Sequence, residues 1–122
     1  TETILLVEDD DQVLYVNKAM LEENGYRVIA ARDGAEAVEL FRGAGSAVAL
    51  AVIDVVMPLM SGRQVYDHLS KLNPHLRVIF TSGYPPDALD RTGVPENCHF
   101  IAKPMDSAEF LRMVRELLDS GR

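Results

Sequence analysis

Val48-Ala49-Leu50-Ala51-Val52-Ile53-Asp54-Val55-Val56-Met57-Pro58 decides the fold. Apolar residues run unbroken into one aspartate, and a short apolar hop then ends at a proline. A run of this kind, rich in Val and Ile and closed by a breaker, reads as a strand buried on both faces of a parallel sheet. An acid at its end stands at the carboxyl edge, where open α/β sheets place their ligands.

Working outward, Ile4-Leu5-Leu6-Val7 is a second buried strand, and it stops abruptly at Glu8-Asp9-Asp10-Asp11. A helical stripe of Val13, Val16, Met20 and Leu21 follows, with Asp10 as its N-cap and Asn24-Gly25 as its stop. Val28-Ile29-Ala30-Ala31 is a short strand, after which Asp33 caps a helix whose apolar face is Ala37, Val38 and Phe41, ending within Gly43 to Gly45. Beyond Pro58, Ser61-Gly62 opens a helix with Val65, Leu69 and Leu72 on one face, stopped at Asn73-Pro74. Val78-Ile79-Phe80-Thr81 and Cys98-His99-Phe100-Ile101-Ala102 complete the strands. Pro85, Pro86, Gly93 and Pro95 leave room for only a short helix near Asp87 to Arg91. Asp106 and Glu109 start the last helix, which buries Phe110, Val114, Leu117 and Leu118.

Strands alternating with helices predict one α/β domain over residues 1–122, a doubly wound, flavodoxin-like parallel sheet of five strands with five helices, the fourth short or irregular. The order most compatible with five such units is 2-1-3-4-5, with the ligand crevice between strands one and three. Those strands end in Glu8-Asp9 and in Asp54.

Composition narrows the function. The chain has 122 residues, room for one core. Twelve basic residues against nineteen acidic ones give a net charge of −7, the opposite of a nucleic-acid footprint. No apolar run approaches the ~18 residues of a membrane span, and the single Cys98 fits a reducing cytoplasm.

Clustered carboxylates repel and raise one another's pKa. Glu8, Asp9 and Asp54 gathered at one edge therefore call for a hard divalent cation with all-oxygen ligands, as magnesium prefers. The carbonyl of Val56, in the turn after Asp54, is a candidate further ligand. Ser82 and Lys103 each stand just past a strand end and can face the same crevice, one as a hydroxyl donor and the other as a point charge. Such a site suits phosphoryl transfer onto Asp54. Taken singly, the acids read as caps and loop residues, Ser82 as a turn residue and Lys103 as a solvated lysine. Their placement at successive strand ends sets them apart. His68 reads as boundary packing, and His75 and His99 as surface residues.

The pattern resembles the receiver domain of two-component response regulators. The motifs are Ile4-Leu5-Leu6-Val7-Glu8-Asp9-Asp10, then Ile53-Asp54-Val55-Val56-Met57-Pro58 followed by Gly62, then Thr81-Ser82-Gly83, and Ile101-Ala102-Lys103-Pro104. The resemblance covers essentially the whole chain, and its family shares the 2-1-3-4-5 order, so the two expectations are not independent. It implies a signalling switch that accepts a phosphoryl group on Asp54 from a histidine kinase or histidine phosphotransfer domain and is not itself a turnover enzyme. Glu8, Asp9, Asp54 and the Val56 carbonyl would hold Mg2+ or Mn2+, and Lys103 would pair with the phosphate. Ser82, favoured over Thr81 by its spacing from Asp54, would be the switch hydroxyl, and Phe100 the aromatic that reports activation. Lys103-Pro104 matches a position where a cis peptide is common in the family.

Two departures shape the expectation. The prolines around the fourth helix disturb the face such domains usually signal through, and Tyr84-Pro85-Pro86 is in the style of receivers attached to hybrid sensor kinases. Val56 and Tyr84 would border the path of the hydrolytic water and slow phosphate loss. An aspartyl phosphatase would need an acid where Val56 stands, and a flavin carrier would need a hydroxyl-rich phosphate loop in place of Glu8 to Asp11. The remaining alternative is a degenerate receiver that docks partners without being phosphorylated.

Overall fold

The computed structural model describes residues 1–83, 98–103 and 106–120. In chain order they form β1 (Thr3–Val7), α1 (Asp11–Glu23), β2 (Arg27–Ala31), α2 (Gly34–Ala44), a 3-10 turn (Gly45–Ala47), β3 (Val48–Asp54), α3 (Gly62–Leu72), β4 (Arg77–Ser82), β5 (His99–Ala102) and α4 (Ser107–Ser120). The strands make one parallel sheet in the order β2-β1-β3-β4-β5, as the alternating pattern predicts. Four helices lie among the described residues. The expected short helix at 87–91 lies outside them, as does the Lys103-Pro104 peptide.

Alternation along each strand builds two cores. Leu5, Val7, Ala51, Ile53, Val78 and Phe80 face α2 and α3, where Ala37, Val38, Phe41, Val65 and Leu69 meet them. Ile4, Leu6, Leu50, Val52 and Ile79 face the other way, against Leu14 and Leu21 of α1 and Phe110, Val114, Leu117 and Leu118 of α4. Covered on both sides, β3 has no polar face to spare, which is why its sequence reads as a continuous apolar run. Among the described residues, no helix is long and apolar enough to cross a membrane.

The helix ends follow their capping residues. Asp10 accepts hydrogen bonds from the N–H groups of Gln12 and Val13, and Asp33 from that of Glu36. Ser61 and Gln64 form a reciprocal capping box at α3. The Asp106 carboxylate accepts from the N–H groups of Ala108 and Glu109.

Three expectations need correction. The buried face of α1 is Leu14, Asn17 and Leu21; Leu21 belongs to the expected stripe, but Val13, Val16 and Met20 each stand one position short of the buried residues. Both sets share the i, i+3, i+7 spacing, and polar Asn17 hid the true one; Val16 is exposed instead. Leu72, at the last position of α3, is half exposed because the helix ends before its face closes over the sheet. His68 is exposed on α3 and packs no boundary.

The loop from β3 to α3 is tightly wound. Leu59 adopts φ 68°, in the left-handed region that costs an L-residue about 1–2 kcal/mol. The Met60 N–H donates to the Pro58 carbonyl at 2.7 Å across it. The Leu59 side chain is fully exposed, so nothing in its surroundings offsets the strain. Replacing Leu59 with Gly removes that strain at an entropic cost of roughly 0.5–1 kcal/mol. Denaturant unfolding of L59G is expected to show stability unchanged or raised by up to about 1 kcal/mol; a loss beyond about 0.5 kcal/mol would contradict the strain.

Candidate functional site

The carboxyl edge of the sheet brings acids and one lysine together. The Glu8 N–H still donates to the Ala31 carbonyl of β2 at 3.0 Å, so Glu8 leaves β1 with its backbone fixed. The residue is only 2% exposed. Glu8 Oε2 accepts from the Asp10 N–H at 3.2 Å, tying it to the cap of α1. Asp9, between them, faces solvent.

Asp54 ends β3 in register with Thr81 of β4 and is 5% exposed. The Val55 N–H donates to the Thr81 carbonyl at 2.9 Å, and the Val56 N–H to Asp54 Oδ1 at 3.3 Å. Backbone and side chain of Asp54 are thus both held by the first residues of the loop. Carboxylate oxygens of Glu8, Asp9 and Asp54 lie within 4.8 Å of one another.

Lys103 enters from β5. Its N–H donates to the Ser82 carbonyl at 2.8 Å, which carries the β4–β5 ladder one residue past the strand. Its ammonium stands 2.5 Å from Glu8 Oε1 and 3.3 Å from Asp54 Oδ2. The ion pair with Glu8 is the closer one, and no residue pattern announces it, because Glu8 and Lys103 meet only across the folded sheet.

The other expected residues sit around this centre. Ser82 and Thr81 are both buried at the end of β4. Ser82 lies opposite Ala102 in the ladder, one residue beyond Thr81, which is opposite Asp54. Val56 is partly exposed at the rim. Phe100 is half buried, paired in register with Phe80 and packed against the core under α2 and α3. Asp10 acts as a helix cap, exposed to solvent. Val13, Val16 and Met20 line a mostly apolar cavity of about 530 Å³ that opens beside Gly83 and Lys103.

Electrostatics make Asp54 unusual. Burial, then the neighbouring Glu8 charge, push its pKa up to about 7, against the pull of Lys103. Burial alone would lower the pKa of Lys103, but its hydrogen bond to Glu8 and the charge of Asp54 outweigh that and raise it. The cluster is short of positive charge at neutral pH. Its donors are carboxylate oxygens, one exposed and two buried, which fits a hard divalent cation with part of its water shell kept.

The family model described as the response regulator receiver domain matches residues 4–115. The sensor kinase CckA of Brucella abortus is 38% identical over 119 residues, covering 96% of this chain and 12% of that protein. The cyclic di-GMP phosphodiesterase of Thermotoga maritima is 34% identical over 117 residues, 91% of this chain and 29% of the relative. The chain thus spans less than a third of either protein's length. The crystal structure of the receiver domain from the hybrid histidine kinase CckA aligns with TM-score 0.83 at 29% identity, covering 95% of this chain and 98% of that one. The response regulator TrrA of Thermotoga maritima, solved in complex with Mg(2+)-BeF, aligns with TM-score 0.83 at 25% identity, covering 96% and 99%.

The raised pKa of Asp54 predicts a pH dependence for the metal-free protein. Between the ordinary carboxylate range and about 7 the folded state holds a proton that the unfolded chain has released, so stability falls as pH rises through that window. With chelator present, the melting temperature is expected to be higher at pH 5.5 than at pH 8. Asp54→Asn should flatten this slope and melt higher than wild type at pH 8. A wild-type melting temperature that rises towards pH 8 would contradict the buried, proton-holding carboxyl.

Proposed function

The chain belongs to the response regulator receiver domain family, and from that premise we propose that it is a phosphorylation-controlled switch in a two-component phosphorelay. Asp54 is the acceptor. The supporting observation is one buried carboxylate at the end of β3, with two further carboxylates within 4.8 Å and an ammonium 3.3 Å away. Residues 1–122 form a single receiver domain in this reading.

The donor is a phosphohistidine on a histidine kinase or histidine phosphotransfer domain. The resemblance to the receiver of a hybrid kinase supports a kinase, or an output domain, joined to this chain in its full-length protein. In the transfer, ionised Asp54 attacks phosphorus, an O–P bond forms, the N–P bond breaks, and the imidazole leaves with the electron pair. Glu8, Asp9 and Asp54, with the Val56 carbonyl, hold the cation. Magnesium or manganese bound there would supply positive charge that offsets the acids and the transferring phosphoryl group, a reading supported by the magnesium complex of TrrA.

Lys103 shifts from the free Asp54 carboxylate to a phosphoryl oxygen and supplies a fixed positive charge. Glu8 keeps that lysine oriented. The phosphate dianion then attracts the Ser82 hydroxyl, and rearrangement at the end of β4 reaches Phe100 through the β4–β5 pairing. Val56, apolar and at the rim, hinders approach of water to the acyl phosphate. Phosphoryl transfer onto the chain's own carboxylate is not turnover of an external substrate.

Incubation with a small-molecule phosphodonor, read by intact mass, tests this. One phosphoryl adduct is expected on wild type with magnesium, and none on Asp54→Asn or in excess chelator. Lys103→Ala should slow labelling by about tenfold or more. Label on Asp54→Asn with magnesium present would overturn the assignment. Wild type that neither binds magnesium nor takes label would mean a docking module. A second expectation concerns lifetime: Val56→Asn should lose its phosphoryl group faster than wild type, and equal decay would remove Val56 from that role.

A further inference from the structure

Gly62 opens α3, and its missing side chain is what lets the helix seat against the end of β3. A Cβ placed there would stand 2.8 Å from Val55 Cα and 3.0 Å from the Asp54 carbonyl carbon, and closer still to the Asp54 carbonyl oxygen. These are backbone atoms, which have no rotamer to turn away. The Gly62 N–H also donates to the Val55 carbonyl at 2.8 Å, closing residues 55–62 into a ring. Inside that ring lie the Val56 N–H that holds Asp54 Oδ1 and, in the proposed function, the Val56 carbonyl that faces the cation.

The position differs from the other close-packed glycine. A Cβ on Gly34 would meet only side-chain atoms of Met60. At Gly43 it would meet nothing within 4 Å. Of the two tight glycines among the described residues, Gly62 alone presses on the peptide that carries Asp54.

We infer that Gly62 is a positioning residue: by admitting the N-terminus of α3 against the Asp54–Val55 backbone, it sets the Asp54 carboxylate and the Val56 carbonyl in register for cation binding and phosphoryl transfer. This rests on the receiver reading for its chemistry, but not for its geometry. Any residue larger than glycine displaces the Asp54 peptide and spreads the oxygen donors.

The test compares wild type, Gly62→Ala and Leu69→Ala, which loosens the same helix through its buried face without touching Asp54. Magnesium affinity is read by calorimetry, and backbone displacement by the NMR amide resonances of Val55 and Val56. G62A is expected to bind magnesium about tenfold or more weakly and to shift both amides. L69A should lose stability yet keep its affinity within about twofold and leave both amides in place. G62A with wild-type affinity and unmoved amides would overturn the inference, and so would affinity losses in G62A and L69A that simply track their loss of stability. If wild type binds no magnesium, the receiver reading fails by itself and the amide shifts alone decide the positioning role. Should G62A not fold, L59G/G62A against L59G makes the same comparison in a loop relieved of its left-handed residue.

Discussion

Two carboxylates that water scarcely reaches, Glu8 and Asp54, share one ammonium, Lys103. One positive charge cannot neutralise both, and Asp9 adds a third negative group at the rim. The free protein relieves the excess by holding a proton on Asp54 near neutral pH. Removing Lys103, which pairs with both acids, would leave buried negative charge unpaired, a loss that typically costs about 3–5 kcal/mol. An arrangement this unfavourable persists in the folded chain because the two apolar cores fix the strand ends on which it stands.

Those cores explain why the charges meet at all. Parallel strands bring all their carboxyl ends to one edge, and the β2-β1-β3-β4-β5 order puts β1 and β3 side by side at the centre. Glu8 and Asp54, 46 residues apart in sequence, become neighbours through the register that pairs Val7 with Ile53. Lys103 comes from the far edge strand and reaches inward past β4. Its stem is mostly covered, so only the ammonium takes part in the charge balance.

The sheet was legible in the sequence because continuous apolar runs such as Val48–Ile53 admit few other readings. The acids at the ends of β1 and β3 were legible for the same reason: a charge that interrupts such a run must leave the core. Helix faces were less so. The face of α1 was misassigned by one position, since a stripe of period 3.6 with a buried asparagine in it competes with an all-apolar one beside it. The Glu8–Lys103 pair and the close approach of Gly62 to Asp54 were not legible at all. The pair leaves no trace in residue type or spacing, and Gly62, although it stands in the motif after Pro58, meets the Asp54 backbone only once α3 has been packed.

The shortage of positive charge at the edge is what makes the site responsive. A divalent cation changes the local charge by two units, and conversion of the ionised Asp54 carboxylate to an acyl phosphate dianion by about one more of opposite sign. Each can therefore redirect Lys103 and the end of β4 without disturbing the cores. A crystal structure of the chain grown with manganese, located by its anomalous signal, tests the central claim most directly. The account predicts one ion within the Glu8, Asp9 and Asp54 cluster, about 2.0–2.2 Å from its carboxylate oxygens and the Val56 carbonyl, with Lys103 still directed at the acids. A strong anomalous peak elsewhere and none at this edge, with Asp54 paired only to Lys103, would contradict it.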